Sequence, residues 1–292
     1  KQKPDILHVQ VPYSPFLAGR VIVAAVPTTA VVGTFHIYPA GALTTFGARL
    51  LRLFCLKSLK RFDQMLAVSQ PAADFARESF GIKPELTSNV VELEKFIAAS
   101  AKPQPNHIVF LGRLVKRKGA GELLKAFFIL KNLIPDAKLT IAGDGPQRAK
   151  LERLVRQRGL EGSVEFLGYI SEKNKPNLLA SAAIACFPST GGESFGIVLI
   201  EAMAAGAGVV IGGDNPGYAS VLGELPETLF DPKNPHELAL KLESFLRDER
   251  LAVEVHKRQQ AGVRNYDIEV VGPKVLRLYN KAIDKRRRYG HN

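Results

Sequence analysis

The chain has 292 residues, 46% of them hydrophobic, a composition that excludes an intrinsically disordered protein and a length that suits about two domains of ordinary size. Its two cysteines stand among apolar neighbours without CxxC or histidine spacing; this gives a disulfide framework or zinc site no support and reads as two buried thiols in a reducing compartment. The net charge of +12 is uneven, since residues 6 to 62 contain no Asp or Glu, and such a field favours an anionic partner such as phospholipid, phosphate or nucleic acid.

The first predicted element is a strand, "DILHVQV", and no strand or helix is read before it. The apolar run "VIVAAV" stops at Pro27, far short of the ~20 residues a membrane-spanning helix needs. A second strand, "TAVVGTFH", ends in His36. A histidine at a strand's carboxyl end can bond a substrate hydroxyl or polarise a reacting group, and a structural histidine fits the position as well. Residues 46 to 62, "FGARLLRLFCLKSLKRF", gather Arg49, Arg52, Lys57 and Lys60 in one half of a helix and Leu51, Phe54, Leu59 and Phe62 in the other. Such a helix suits the surface of an anionic bilayer, and equally an ordinary surface position with its apolar half in the core.

A third strand, "QMLAVS", completes this series, and the proline-containing "SAKPQPNH" at 100 to 107 reads as a linker. Beyond it "NHIVFLGRL", "KLTIAGDG", "SVEFLGYI", "AAIACFPS" and "AGVVIGG" alternate with amphipathic helices, the rhythm of parallel sheets covered on both faces. The expected fold class is therefore α/β, with two doubly wound, Rossmann-like domains, residues 1–102 and 103–267, expected to face each other across a cleft. The helix "EVVGPKVLRLYNKAIDKRRR", within residues 268–292, lies outside either strand series and is expected to cross back to the first domain. With only three strands ahead of the linker, the first domain is expected to be incomplete at its amino end.

In parallel sheets, ligands sit at the carboxyl ends of strands. "VFLGRLVKRKG" sets Arg113 and Lys118 after a strand end and Gly112; two cations five apart can bracket a diphosphate, although Lys116, Arg117 and Lys118 alone read as a solvated basic loop. "TIAGDGP" puts Gly143 and Asp144 at the same edge, where they can line a nucleotide, a weak signal because GDG turns are common. "ACFPSTGGESFGIVLIEAMAAG" is a strand, a glycine-bearing loop and a helix. Ser194 is expected as its N-cap and Phe195, Gly196 and Ile197 as its first turn, whose N–H groups and dipole suit a phosphate. Glu193 then falls ahead of the helix and Glu201 about two turns inside it. One carboxylate can face a group beyond the phosphates and the other a diol behind them; on the plainer reading both are ordinary helix residues.

"GGESFGIVLIEAMAAG", preceded in order by "GTFH", "SNVVELEKF", "GRLVKRKG" and "TIAGDGP", closely resembles the family 4 retaining glycosyltransferases (GT4), which have the GT-B fold. Within that family the likeness leans to phosphatidylinositol mannosyltransferases and related lipid-modifying enzymes. The resemblance implies a nucleoside-diphosphate-sugar donor, GDP-mannose favoured and a UDP-sugar compatible, and a lipid or carbohydrate acceptor. By position Glu201 resembles the residue on the ribose hydroxyls and Glu193 that on the donor sugar. Arg113 and Lys118 resemble the pair on the diphosphate, and His36 the histidine near the transferred sugar. No cofactor is required, and a divalent cation is compatible but not implied, since protein cations take the diphosphate charge and no DxD pattern occurs. The charge pattern adds an anionic membrane surface as a partner and a place on the cytoplasmic face; nucleic acid is not expected, because the basic and aromatic motifs of the common binding modules are missing. Two departures stand out: the family's opening strand and glycine-rich loop are not found ahead of Lys1, and Gly208 occupies a position where proline is usual.

Overall fold

The computed structural model describes residues 3–39 and 41–289. These form two compact units, one built from residues up to Asn89 together with those from Ile268 onward, the other Val90–Asp267. The segment read as a linker lies within the second unit rather than at its border. Ser100 N donates to Asn177 Oδ1 at 2.9 Å and Gln104 N to Ser181 O at 2.9 Å, which fastens it there.

In the first unit the described residues form a parallel sheet, β1 (Ile6–Val9), β2 (Ala30–Phe35), β3 (Gln64–Ala67) and β4 (Glu85–Leu86), in that spatial order. Helices α1 (Leu17–Val23), α2 (Ala42–Leu59) and α3 (Gln70–Phe80) connect the strands, and α12 (Ile268–Tyr289) returns to pack on them. β2 is buried along its whole length, and its period-two alternation sends Ala30 and Val32 to one face and Phe35 to the other. On the first face they meet Leu66 and Ala282, so α12 closes a core there. On the second, Phe35 joins Tyr13, Phe75 and Phe80 in an aromatic cluster, which places α3 opposite α12. α3 is delimited by local chemistry: Ser69 caps its first turn by accepting from Ala72 N, and Gly81, at φ 69°, stops it in the left-handed region.

A buried carboxylate ties α12 to the sheet. Asp63, whose side chain is 5% exposed, accepts from Val31 N at 2.8 Å and pairs with Arg286 at 2.7 Å and Arg61 at 3.4 Å. Lys285 Nζ donates to Asp63 O at 2.9 Å.

α2 differs from the expectation. Phe54 is 78% exposed, Phe46, Leu50 and Leu53 are exposed as well, and Ala48, Cys55 and Ser58 are the residues turned inward. The helix buries its small side chains because α1 and α3 pack closely on it, and Cys55 Sγ reaches Tyr13 O at 3.1 Å. Lys60 is its C-cap, and Phe62 lies beyond it. No helix of the described residues is long and apolar enough to cross a membrane.

The second unit has a six-stranded parallel sheet in the order β10-β9-β8-β5-β6-β7. Its strands are β5 (His107–Leu111), β6 (Lys138–Ala142), β7 (Val164–Gly168), β8 (Ile184–Phe187), β9 (Val209–Gly213) and β10 (Leu229–Phe230). Helices α4 (Leu93–Ile97), α5 (Ala120–Leu133), α6 (Arg148–Gln157), α7 (Lys175–Ala180), α8 (Ile197–Ala204), α9 (Pro216–Leu222), α10 (Pro235–Arg247) and α11 (Glu249–Val263) connect and cover them. The main core lies between the sheet and α5 and α10, with Phe110, Phe127, Leu123, Leu124, Ile211 and Leu242 fully buried. Each such side chain contributes about 1.5–3 kcal/mol. Gly208 fits its place closely: its N–H donates to Ala182 O at 2.9 Å, a bond proline could not make, and a Cβ there would stand 2.5 Å from Ala183 O.

Candidate active site

The strand order creates a switch point. From β5 the chain runs outward through β6 to β7, returns to β8 beside β5, and continues to β9 and β10. Loops leaving the two central strands therefore lie side by side at the carboxyl ends, where open parallel sheets bind ligands. They are residues 112–119 after β5 and 188–196 after β8, two of the stretches marked by their chemistry in the sequence.

The two loops are latched through their backbones. Arg117 O accepts from Thr190 N at 2.8 Å and from Thr190 Oγ1 at 3.2 Å. Gly119 has φ 76°, and a Cβ there would lie 1.9 Å from Pro188 O, so only glycine lets the loops approach this closely. The loop after β6 joins the same edge. Leu114 N donates to Asp144 O at 2.8 Å, and Gly143, at φ 128°, leaves no room for a Cβ beside Gly112 O.

Glu193 is the electrostatic centre of the latch. Its Oε1 takes Arg117 Nη1 at 2.7 Å, Lys118 Nζ at 2.9 Å and Ser189 Oγ at 2.8 Å, and the side chain is 12% exposed. Burial by itself pushes this carboxyl up; Lys118, Ser189 and Arg117 together outweigh burial and hold it below its ordinary value. The backbone behind it is fixed by α9. A Cβ on Gly217 would meet Glu193 O at 2.2 Å, and Asn215, N-cap of α9, donates to Ser189 O at 3.1 Å.

The helix after this loop starts later than expected. Its N-cap is Gly196 rather than Ser194, because the chain turns at Gly196 with φ 123° and a Cβ there would lie 2.8 Å from the side chains of Leu199 and Tyr218. Ile197 and Val198 thus head the helix. Phe195 precedes it, buried edge-on against Tyr266 with ring centroids 5.5 Å apart, so it can meet a ligand through its backbone only. Glu201 stands just over one turn inside the helix, not two. Lys175 Nζ pairs with Glu201 at 2.9 Å and with Glu172 at 2.7 Å. Burial raises the Glu201 carboxyl above its ordinary value, and Lys175 offsets only part of that rise. Glu201 opens on a groove of about 590 Å³ lined also by Val91, Phe96, Glu172 and Pro176.

The structure thus brings Lys118 to Glu193, and the loop of Gly112 to that of Gly143 and Asp144. Arg113 is exposed and makes no ion pair among the described residues. His36 belongs to the first unit, where its Nε2 bonds Gln10 Oε1; burial lowers its pKa. Next to it His8 bridges Thr34 and Tyr279, each at 2.7 Å. Sequence reasoning missed Ser189 and Lys175 as partners of the two glutamates and took Arg117 as a surface charge; only Asn215, followed by a proline, carried a readable signal as a helix N-cap. Among the described residues no group of three or more His, Cys, Asp and Glu side chains could hold a metal ion.

Residues 92–262 match the family of glycosyl transferases group 1, and residues 1–95 match glycosyltransferase family 4. The phosphatidyl-myo-inositol mannosyltransferase of Mycobacterium tuberculosis H37Rv is 33% identical over 287 residues, spanning 94% of this chain and 73% of that protein. The protein of the same name from Mycolicibacterium smegmatis is 32% identical over 283 residues, with 94% and 70% covered. Among solved structures, Anabaena HepE in complex with UDP superposes with a TM-score of 0.80 at 18% identity, over 94% of this chain and 78% of that one. Sucrose-phosphate synthase from Thermosynechococcus elongatus gives a TM-score of 0.74 at 20% identity, over 95% and 73%. These superpositions establish the paired Rossmann-like fold.

Proposed function

The chain belongs to the family 4 glycosyltransferases, and from that membership and the geometry of the second unit we propose that it transfers mannose or a similar hexose, with retention, from a nucleoside-diphosphate sugar to a phosphatidylinositol-type lipid. The observation that carries the reading is the convergence at one switch point of Lys118, Glu193 and the amino end of α8.

On this reading Arg113, Lys118 and the first N–H groups of α8 take the diphosphate charge, so no metal is required for that task. Three donors converge on Glu193 Oε1, which leaves Oε2 to accept from hydroxyls of the donor sugar. Glu201 accepts from the ribose diol. Glu172 reaches the same groove, and a carboxylate there can accept from both the N1–H and the N2 amino group of guanine, whereas uracil offers a single N–H; this supports GDP. In the transfer the C1–O bond to the phosphate breaks and the acceptor hydroxyl bonds C1 on the same face. Its proton passes to the departing phosphate oxygen, whose charge Arg113 and Lys118 stabilise. His36 holds a hydroxyl of the transferred sugar. Catalysis then rests on positioning and charge stabilisation rather than on an enzymic nucleophile.

Calorimetric titration with GDP, UDP and ADP, and with their sugar conjugates, tests the donor half. GDP binds best, and Glu201→Ala weakens it by about tenfold or more, the scale of a lost charge-assisted hydrogen bond. A folded sample that binds no nucleotide overturns the proposal and leaves a non-catalytic scaffold.

The lipid acceptor is supported by the outward side chains of α1 and α2 and their approach: Phe16, Leu17, Phe46, Leu53 and Phe54 are exposed, with Arg20, Arg49, Arg52 and Lys57 among them. Apolar insertion and attraction to anionic headgroups together suit a peripheral place on a cytoplasmic membrane face. Co-sedimentation with vesicles containing phosphatidylinositol should fall by about tenfold in Phe54→Ser/Leu53→Ser, since each buried CH₂ is worth about 0.8 kcal/mol. Equal sedimentation of parent and variant would favour a soluble sugar or polysaccharide acceptor.

A further inference from the structure

The side of α12 turned toward β3 and β4 carries a second feature, remote in chemistry from sugar transfer. A groove of about 540 Å³ runs along it, lined by Gln64 at the start of β3 and by Arg277, Asn280, Lys281, Asp284, Lys285 and Arg288. Two of the cations have work within the fold, Lys281 pairing with Glu85 and Lys285 bonding the backbone of Asp63. Arg277 and Arg288, both exposed, make no ion pair among the described residues. They stand eleven residues apart, roughly 16 Å along the helix axis, and Asn280 lies between them.

That spacing selects the ligand. A single phosphate or carboxylate could meet both guanidinium groups only if the two side chains turned toward each other along the helix, whereas an extended peptide of about five residues covers the distance directly. We propose that the groove is a docking site for a short acidic peptide segment of another protein, its carboxylates on Arg277 and Arg288 and its backbone on the Asn280 amide. Arginine suits this role because its planar fork takes a carboxylate through two parallel bonds.

The other polyanions fit less well. Single-stranded nucleic acid is gripped by stacking on aromatic rings, and the lining side chains include none. A bilayer asks for apolar side chains, which this lining lacks; the exposed phenylalanines Phe16, Phe46 and Phe54 lie at the start of α1 and on α2, and α12 packs on the sheet face opposite the aromatic cluster of α3.

Fluorescence anisotropy on the full chain, with fluorescein-labelled hexaglutamate as probe, tests the assignment. The expected result is binding that weakens with salt and falls at least about tenfold in Arg277→Glu/Arg288→Glu. Arg153→Glu/Arg156→Glu, the same charge change on exposed positions of α6, should alter it less than about twofold. Equal losses in the two variants would overturn the site in favour of diffuse attraction by the net charge. Hexathymidylate binding as tightly, with the same sensitivity to Arg277 and Arg288, would reassign it to nucleic acid. Loss of sedimentation with anionic vesicles but not of peptide binding would reassign it to membrane. If charge reversal unfolds α12, seen as a shifted melting curve, Arg277→Gln/Arg288→Gln supplies the same comparison: a selective loss of peptide binding supports the site and an unchanged affinity overturns it.

Discussion

Gly119→Ala is expected to lower the stability of the second unit by more than about 3 kcal/mol and to leave no measurable sugar transfer. Two costs add. The left-handed backbone at φ 76° costs an alanine about 1 kcal/mol, and its methyl carbon would lie 1.9 Å from the carbonyl oxygen of Pro188, which is backbone and cannot rotate aside. The loops after β5 and β8 must then separate, breaking the bond from Thr190 N to Arg117 O and taking Lys118 away from Glu193. Gly159 gives the control. It has a similar φ of 63° but nothing within 4 Å of the added carbon, so Gly159→Ala should show only the backbone cost. Denaturant unfolding of both variants, with transfer assayed alongside, separates the two. Equal stability losses would mean that the loops part easily and that the latch does not hold the site.

Glu193→Gln has the second large effect: kcat falls about 10²- to 10³-fold, while nucleotide affinity changes by less than about threefold. The amide keeps the shape but removes the charge that Arg117, Lys118 and Ser189 meet, so the contact to the donor sugar is weakened while Lys118 remains available to the diphosphate. Burial of two cations without their anion adds a stability loss of about 1–2 kcal/mol, modest because Arg117 is partly exposed. Acid distinguishes the variant too. In the parent the folded carboxyl lies below its ordinary value of 4.5, so its contribution to stability is complete above that value and is lost as pH falls through the folded value. The glutamine variant lacks this contribution at every pH, so its stability should fall less steeply below about pH 4.5. Coincident acid limbs in the two proteins would show that Glu193 is not the shifted group.

The sequence was informative where a local pattern controls structure. β5, β6, β8 and β9 are short, largely buried and mostly apolar runs, and they read as strands for that reason. β4 and β10 have two residues each, too short for any period to show, and went unseen. α2 misled because helical spacing ranks residues by hydrophobicity, whereas the packed face was decided by size: Ala48, Cys55 and Ser58 allow close approach, and Phe54 does not. In the site, Glu193 and Lys118 stood out through their glycine-bearing loops. Arg117 did not, because its role exists only where β8 lies beside β5, and that adjacency joins residues more than seventy positions apart; Ser189 did not because its bond to Glu193, four residues away in the same loop, follows no helical or strand period. Lys175 was hidden for the same reason, its partner Glu201 coming from a different helix.

The route of the chain through the two units bears on the order in which they can be made. The second unit is one uninterrupted stretch, Val90–Asp267, while the first is completed by residues that follow it. Ala282 of α12 closes the core formed by Ala30, Val32 and Leu66, and Arg286 satisfies the buried Asp63. On the ribosome the second unit can therefore finish folding while that face of the first sheet still lacks its cover. For the time it takes to synthesise well over a hundred residues, the nascent sheet presents apolar strands to its surroundings, a stage of biosynthesis at which chaperones have most to protect.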